Sequence, residues 1–292
     1  MRLVYTADLH GNIDWYRALL ELAVSTKAQA AIVGGDLFPH AISISNALPR
    51  QSDFVEQQLR PLLDQFHSNH PDIRIYLLPG NDDWAAVVTK LDDFEAAGVA
   101  YPLHQRAYQL RPTSPEETDD TTLWIAGYAC VPLTPFSIKD YERLDDDQKL
   151  SYSLEMAYVS WGGQITSAKV QDLLALPGIA ADLTTLAKQS DPQRTIYVCH
   201  TPPADTPIDL ARNKRHIGSR ALRRFVEQHA PPLTLHGHVH EAPHHNQTYA
   251  MQIGPTWCVN PGNDHQRFHA VTCDTDDVRG TMEHTVFGKL ST

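Results

Sequence analysis

The sequence predicts an α/β fold built in layers, on two observations. Short apolar runs alternate with segments of helical spacing, and many of those runs end in Asp, Asn or His. The ends carry Asp8-Leu9-His10, Gly35-Asp36, Gly80-Asn81, His200 and His238-Val239-His240. In open α/β sheets, ligands bind beyond the carboxyl ends of the strands. The polar residues therefore fall where a site belongs.

The elements follow in order. Residues 3–6 read as a strand and 13–23 as a helix, because apolar side chains recur there at helical spacing. Residues 30–33 form a second strand closed by Gly34-Gly35-Asp36. The stretch 53–66 is helical by pattern, with Pro61 expected to kink or divide it. A third strand over 73–78 stops at Pro79-Gly80, and 84–97 gives another helix. Beyond Gly98 the pattern changes. Residues 107–110 and 123–127 read as antiparallel strands joined by an acidic, Pro-containing loop over 111–122. Residues 131–190 are polar and helix-like in places, which suits an insertion or lid. Strands return at 195–199 and 233–235, and Gly218-Ser219 should cap a helix running to about Gln228. Short β runs near 251–259, 268–273 and 282–287 finish the chain.

A chain of 292 residues can bury a large core, and one domain over 1–292 accounts for it, with 131–190 inserted. The net charge of -11 argues against wrapping a long nucleic-acid duplex, which needs a basic surface. No apolar stretch at the N-terminus resembles a leader or a membrane span. Cys130, Cys199, Cys258 and Cys273 form no CxxC pair and read as thiols in a reducing compartment, so the expected location is the cytoplasm.

Asp8, His10, Asp36, Asn81, His200, His238 and His240 are all hard oxygen or imidazole donors, the set a two-metal site requires. At a strand end, positions i and i+2 point the same way, so Asp8 and His10 can grip one ion. The same reasoning puts the imidazoles of His238 and His240 on one side of their segment, with Gly237 leaving room. Asp36 has two oxygens and can bridge two cations. Taken singly, each motif has a simpler origin: a helix cap, a turn residue, a surface histidine. Taken in order, they favour metal.

These motifs resemble the calcineurin-like metallophosphoesterase superfamily: DxH at Asp8 and His10, GD at Gly35-Asp36, GN at Gly80-Asn81, then His200 and GHxH at 237–240. The segments beginning at His200, His216 and His236 are similar to its Icc-related predicted phosphoesterase branch. The resemblance implies a four-layer α-β-β-α sandwich with a dinuclear site at the sheet edge. It implies that one ion takes Asp8, His10, Asp36 and His240, and the other Asp36, Asn81, His200 and His238. It also implies two divalent ions, with manganese favoured and iron, zinc, nickel or cobalt as alternatives. The implied activity is hydrolysis of a small phosphate ester or nucleotide-like substrate, with Asp36 and Asn81 in the reacting centre.

The chain departs from that family at one position. Where relatives carry Gly-Asn-His, this sequence reads Gly80-Asn81-Asp82-Asp83. Asp82 offers no imidazolium to a leaving group, and an ionised carboxylate repels phosphate. Diesters with good leaving groups need less acid catalysis than monoesters, so a phosphodiesterase is expected. His216 is a candidate for the missing acid, within a basic stretch where Arg212, Lys214, Arg215 and Arg220 can bind phosphate oxygens beside a helix N-terminus at Ser219. His265, after Asn260-Pro261-Gly262, is a further candidate for substrate contact. His244 and His245 read as outer residues, and the Asp145-Asp146-Asp147 run as solvated loop or helix cap. Two readings stand beside the enzyme: a metal-binding scaffold for protein interaction, and a nuclease. Oligomeric state has no signature in the sequence.

Overall fold

The computed structural model describes residues 1–41, 43–110, 122–149 and 157–290. In chain order the first strands are β1 (Arg2–Thr6), β2 (Ala30–Gly34), β3 (Arg74–Leu78), β4 (Tyr101–Pro102), β5 (Ala107–Gln109) and β6 (Trp124–Tyr128). Four short ones follow: β7 (Val131–Pro132), β8 (Glu142–Arg143), β9 (Tyr158–Trp161) and β10 (Gln164–Ser167). Then come β11 (Thr195–Cys199), β12 (Leu233–Leu235), β13 (Ala250–Ile253), β14 (Thr256–Val259), β15 (Val271–Asp274), β16 (Glu283–His284) and β17 (Gly288–Lys289). The helices are α1 (Ile13–Ser25), α2 (Ala47–Phe54), α3 (Arg60–Asn69), α4 (Ala85–Val88) and α5 (Leu91–Ala96). They continue with α6 (Val170–Leu174), α7 (Ile179–Leu186), α8 (Arg220–His229), α9 (Ala242–Asn246) and α10 (Val278–Thr281).

Two sheets stack. One runs β17-β16-β15-β1-β2-β3-β4 and the other β13-β14-β12-β11-β6-β5. The centres of both are parallel, with β1 against β2 and β2 against β3, and with β11 flanked by β6 and β12. Antiparallel strands finish the edges that end in β17, β13 and β5. Because strand side chains alternate, each central strand of the first sheet feeds two cores. Val4, Val33 and Leu77 pack outward against Leu19, Phe54 and Leu63 of the first helices. Leu3, Tyr5, Ile32 and Tyr76 face inward and join Ile125, Ile196 and Val198 of the second sheet. Leu222, Phe225 and Val226 of α8 and Leu183 and Leu186 of α7 belong to that same core. The result is the four-layer α-β-β-α sandwich the resemblance implies.

Local structure follows the sequence closely, with instructive exceptions. Asn12 caps α1 by accepting from Asp14 N and Trp15 N, and Ser219 caps α8 by accepting from Leu222 N. The helix expected over 53–66 is divided by a π turn over Val55–Leu59, immediately before Pro61 in α3. A proline lacks the N–H and clashes one turn back, and the wider turn relieves both. The single helix expected over 84–97 is instead α4 and α5. The strands expected around 107–110 and 123–127 pair antiparallel, Ala107 opposite Ala126. Most of the loop expected between them lies outside the described residues. Within 131–190, the β9–β10 hairpin is stitched to α4, since Asp140 accepts from Ala85 N and from Ser160 N at 2.8 Å each. Further on, Ile179, Leu183 and Leu186 of α7 are buried. All four cysteines are buried and free. Among the described residues, no helix is long and apolar enough to cross a membrane.

Candidate metal centre

The parallel pairing of β1 with β2 carries their following loops out side by side. Asp8 N donates to Gly35 O, His10 N to Asp36 O and Gly11 N to Leu37 O, at 2.9, 2.9 and 3.0 Å. A buried carboxylate, Asp83, adds the third loop by accepting from Leu37 N, Phe38 N and Gly80 N. Burial and the nearby Asp36 charge push Asp83 up to about 8. The second sheet contributes through Gly237 N, which donates to His200 O at 2.9 Å, and His238 N, which donates to Asp8 Oδ1 at 3.1 Å.

The donors converge, but not by strand alternation. β1 ends at Thr6 and β12 at Leu235, so neither the Asp8/His10 pair nor the His238/His240 pair lies in extended chain. Asp8, His10, Asp36 and His238 instead adopt left-handed backbone, with φ of 59°, 43°, 50° and 64°. Such a conformation costs a non-glycine residue roughly 1–3 kcal/mol and collects at functional sites. The extended geometry expected for both pairs is therefore wrong, because the turn to left-handed backbone re-aims each side chain after its strand has ended.

Ligand atoms of Asp8, His10, Asp36 and His240 all lie within 4.8 Å of one another. His240 Nε2 is 3.2 Å from Asp8 Oδ1, and His10 Nε2 is 3.9 Å from Asp36 Oδ2 and 3.4 Å from His240 Nε2. On the other side of Asp36, His200 Nε2 lies 3.4 Å from Asp36 Oδ2, and the His200 ring is 5.3 Å from that of His238. His200 Nδ1 donates to Gly34 O at 2.9 Å, which turns the Nε2 lone pair into the cradle. Asn81 Nδ2 donates to Asp82 Oδ1 at 3.1 Å, leaving Asn81 Oδ1 facing inward.

This cradle fits divalent cations. Asp8 Oδ2, Asn81 Oδ1 and His200 Nε2 are buried without a hydrogen-bond partner, and each such group costs about 1–3 kcal/mol unless something else satisfies it. Glycine keeps the space open: a Cβ on Gly35 would fall 1.9 Å from His200 Nδ1, and one on Gly237 2.7 Å from Asp8 Oδ2. Charge points the same way. Burial opposes protonation of His200 and His240, yet the neighbouring carboxylates outweigh it and lift both to about 9. Burial, then the charge on His200, pushes His238 down to about 4. His200, then His10 and the hydrogen bond from Asp82 N, hold the Asp36 carboxyl well below the usual range against its burial.

A groove of about 1590 Å³ opens onto Asp36, Asn81, His238 and His240, with Arg215, His216 and Arg220 along one wall. His216 is half-exposed and its Nδ1 pairs with Asp209 Oδ1 at 2.6 Å. Arg212 and Lys214 do not line the groove. The α8 N-terminus, expected to favour substrate phosphate, is taken already. Asp145 accepts from Ser219 Oγ, Arg220 N and Ala221 N, while Asp146 and Asp147 pair with Arg224. The acidic run is thus a helix cap. His265 comes within 5.3 Å of His240 and 6.4 Å of His10, ring to ring.

Asp82 is not a lone carboxylate. Its Oδ2 lies 3.1 Å from His40 Nδ1 and 3.8 Å from His10 Nδ1. His40 stacks on His10 at 4.2 Å, and its hydrogen bond to Asp82 raises it above the ordinary histidine value. Sequence reasoning missed His40, because a histidine after Leu37-Phe38-Pro39 carries no motif. It also missed Asn263, whose Nδ2 donates to Asp8 O at 2.6 Å; the turn at 260–262 was the available signal.

The fold and this arrangement of donors define a metallophosphoesterase. The chain belongs to the calcineurin-like phosphoesterase family, whose profile matches residues 1–242. Among solved structures it is similar to TT1561 of Thermus thermophilus, with 16% identity, a TM-score of 0.57 and coverage of 98% of each chain. It also matches a dimetal phosphatase from Danio rerio, with 12% identity, a TM-score of 0.48 and coverage of 93% of this chain and 92% of that one. A third match, a novel archaeal phosphodiesterase, has 10% identity, a TM-score of 0.40 and coverage of 97% and 98%. At such identities the first likeness speaks for the fold alone, and the other two are too loose to carry argument. No curated protein matches the chain.

Proposed function

We propose that the chain hydrolyses small phosphate esters with two divalent ions, and prefers diesters to monoesters. The observation that carries this reading is the set of buried, unpartnered donor atoms on Asp8, Asn81 and His200 around Asp36. Asp8, His10, Asp36 and His240 would hold one ion. Asp36, Asn81, His200 and His238 would hold the other. Manganese is the first choice for so many oxygen donors, with iron, zinc, nickel and cobalt as alternatives. Two such ions supply Lewis acidity and a nucleophilic water near neutral pH.

The chain's own residues do the rest. Asn81 and Arg215 orient the ester in the groove, with His216, held by Asp209, on its wall and His265 beside His240. His40, held by Asp82, presents an N–H donor toward substrate oxygens at the place where the family's histidine is missing. Asp82 itself brings negative charge to the leaving-group side, which supports a singly charged diester over a doubly charged monoester. Residues 132–138 and 145–149 line the groove; 132–138 would act as the lid, while 145–147 are held to α8 and α7 belongs to the packed body. Four buried thiols suit a reducing compartment such as the cytoplasm.

The test is a screen of metals against bis(p-nitrophenyl) phosphate and p-nitrophenyl phosphate, on wild type and Asp36→Asn. The expected result is manganese-dependent diester turnover that the substitution abolishes. Full turnover by Asp36→Asn would remove the bridging role. Tight metal binding without cleavage of either ester would favour a scaffold, the reading that Asp82 in place of histidine supports.

A further inference from the structure

We propose that His244, Asp264 and His269 form a separate structural site for a divalent transition ion of the zinc type. Their ligand atoms lie within 4.8 Å of one another. His269 is 3% exposed, and its Nδ1 donates to Pro261 O at 3.1 Å. The lone pair of His269 is therefore on Nε2, which is buried, has no hydrogen-bond partner and lies 3.3 Å from Asp264 Oδ2. His244 Nε2 is likewise buried and unpartnered. Two imidazole nitrogens left unsatisfied beside one carboxylate oxygen supply three ligands of a tetrahedral ion, with a water for the fourth.

The surrounding bonds fix this tautomer. His284 Nδ1 accepts from Val286 N and Phe287 N, so its Nε2–H is the donor that reaches Pro261 O at 3.0 Å. That carbonyl takes both histidines, one on each lone pair. Asp264 Oδ1 is spent on Gln266 N and Arg267 N, which leaves Oδ2 as the ligand oxygen. Arg267 also reaches Oδ2, through Nε at 2.7 Å and a terminal nitrogen at 2.6 Å, but its side chain is 56% exposed and free to swing out. No proposed donor of the catalytic cradle takes part. An ion here would tie α9, which follows the His238/His240 turn, to the 260–269 loop that carries Asn263 and His265.

The experiment is zinc content per chain, measured by plasma mass spectrometry after equilibration with zinc and desalting. Wild type should retain one more zinc per chain than His244→Ala, with diester turnover in manganese unchanged by the substitution. Asp36→Asn, which damages the cradle, should keep the extra ion. Zinc should raise its thermal midpoint, and should lose that effect in Asp36→Asn/His244→Ala. Should His244→Ala fold poorly by circular dichroism, His244→Gln gives the same comparison with more of the side-chain volume kept. Equal zinc content in wild type and the folded His244 variant would overturn the proposal, whatever the fate of the phosphoesterase reading.

Discussion

Substituting Gly80 by alanine perturbs the centre without replacing any candidate donor. The added methyl would sit 2.2 Å from Asp36 Oδ1, 2.4 Å from Asp36 N and 2.8 Å from His200 Nε2. Ordinary contact begins at 3.4 Å, and the backbone nitrogen has no rotamer by which to yield. Relief of that one contact alone requires a shift of about 1 Å between the loops after β2 and β3, and a misplacement of that size costs a reaction about 100-fold. Overpacking adds roughly 1–3 kcal/mol of lost stability. The assay is manganese-dependent cleavage of bis(p-nitrophenyl) phosphate, with manganese affinity by calorimetry and thermal unfolding alongside. Gly98→Ala is the control: nothing lies within 4 Å of its Cβ position, and its φ of +70° costs only backbone strain of about 1–2 kcal/mol. It should lose stability and keep turnover. Wild-type turnover and manganese affinity in Gly80→Ala would refute the close packing of the cradle.

Asp82→His removes the partner of His40 and restores an imidazole at that position; the ratio of monoester to diester cleavage should rise, and an unchanged ratio would mean that position 82 does not face the leaving group. Acid stability offers a third test through His104, whose buried Nδ1 accepts from Ala129 N at 3.0 Å. Burial, aided by Arg143 and Arg106, pushes it from 6.5 down to about 3. The folded value is the lower one, so the unfolded chain takes the proton first. Stability from this group is intact above pH 6.5 and falls as pH drops toward 3, by about 1.4 kcal/mol per unit. Urea midpoints of His104→Gln between about pH 7 and 5 should fall less steeply than those of wild type; parallel curves would rule His104 out.

Much of the fold was legible because its central strands are buried on both faces and end in punctuating residues. Residues 195–199 and 233–235 read as strands with the bounds they adopt as β11 and β12, and Ser219 announced α8. The division at Pro61 was visible, but not that a π turn would make it. All seven candidate donors were legible as residue types at strand ends. Their aim was not, because left-handed backbone at Asp8, His10, Asp36 and His238 obeys no period of two. His40 was invisible for another reason: its role comes from stacking on His10 and pairing with Asp82, contacts between distant parts of the chain that no local spacing encodes. The same holds for the α8 N-terminus, where Asp145 arrives from 74 positions away.

The left-handed turns at four donor positions also limit what can be borrowed from this protein. Grafting the seven side chains onto ordinary strand ends of another scaffold would reproduce the composition and lose the convergence. A designer would have to move whole loops, together with the inter-loop amide ladder from Asp8 to Gly11 and the carboxylate clasp of Asp83, as one piece.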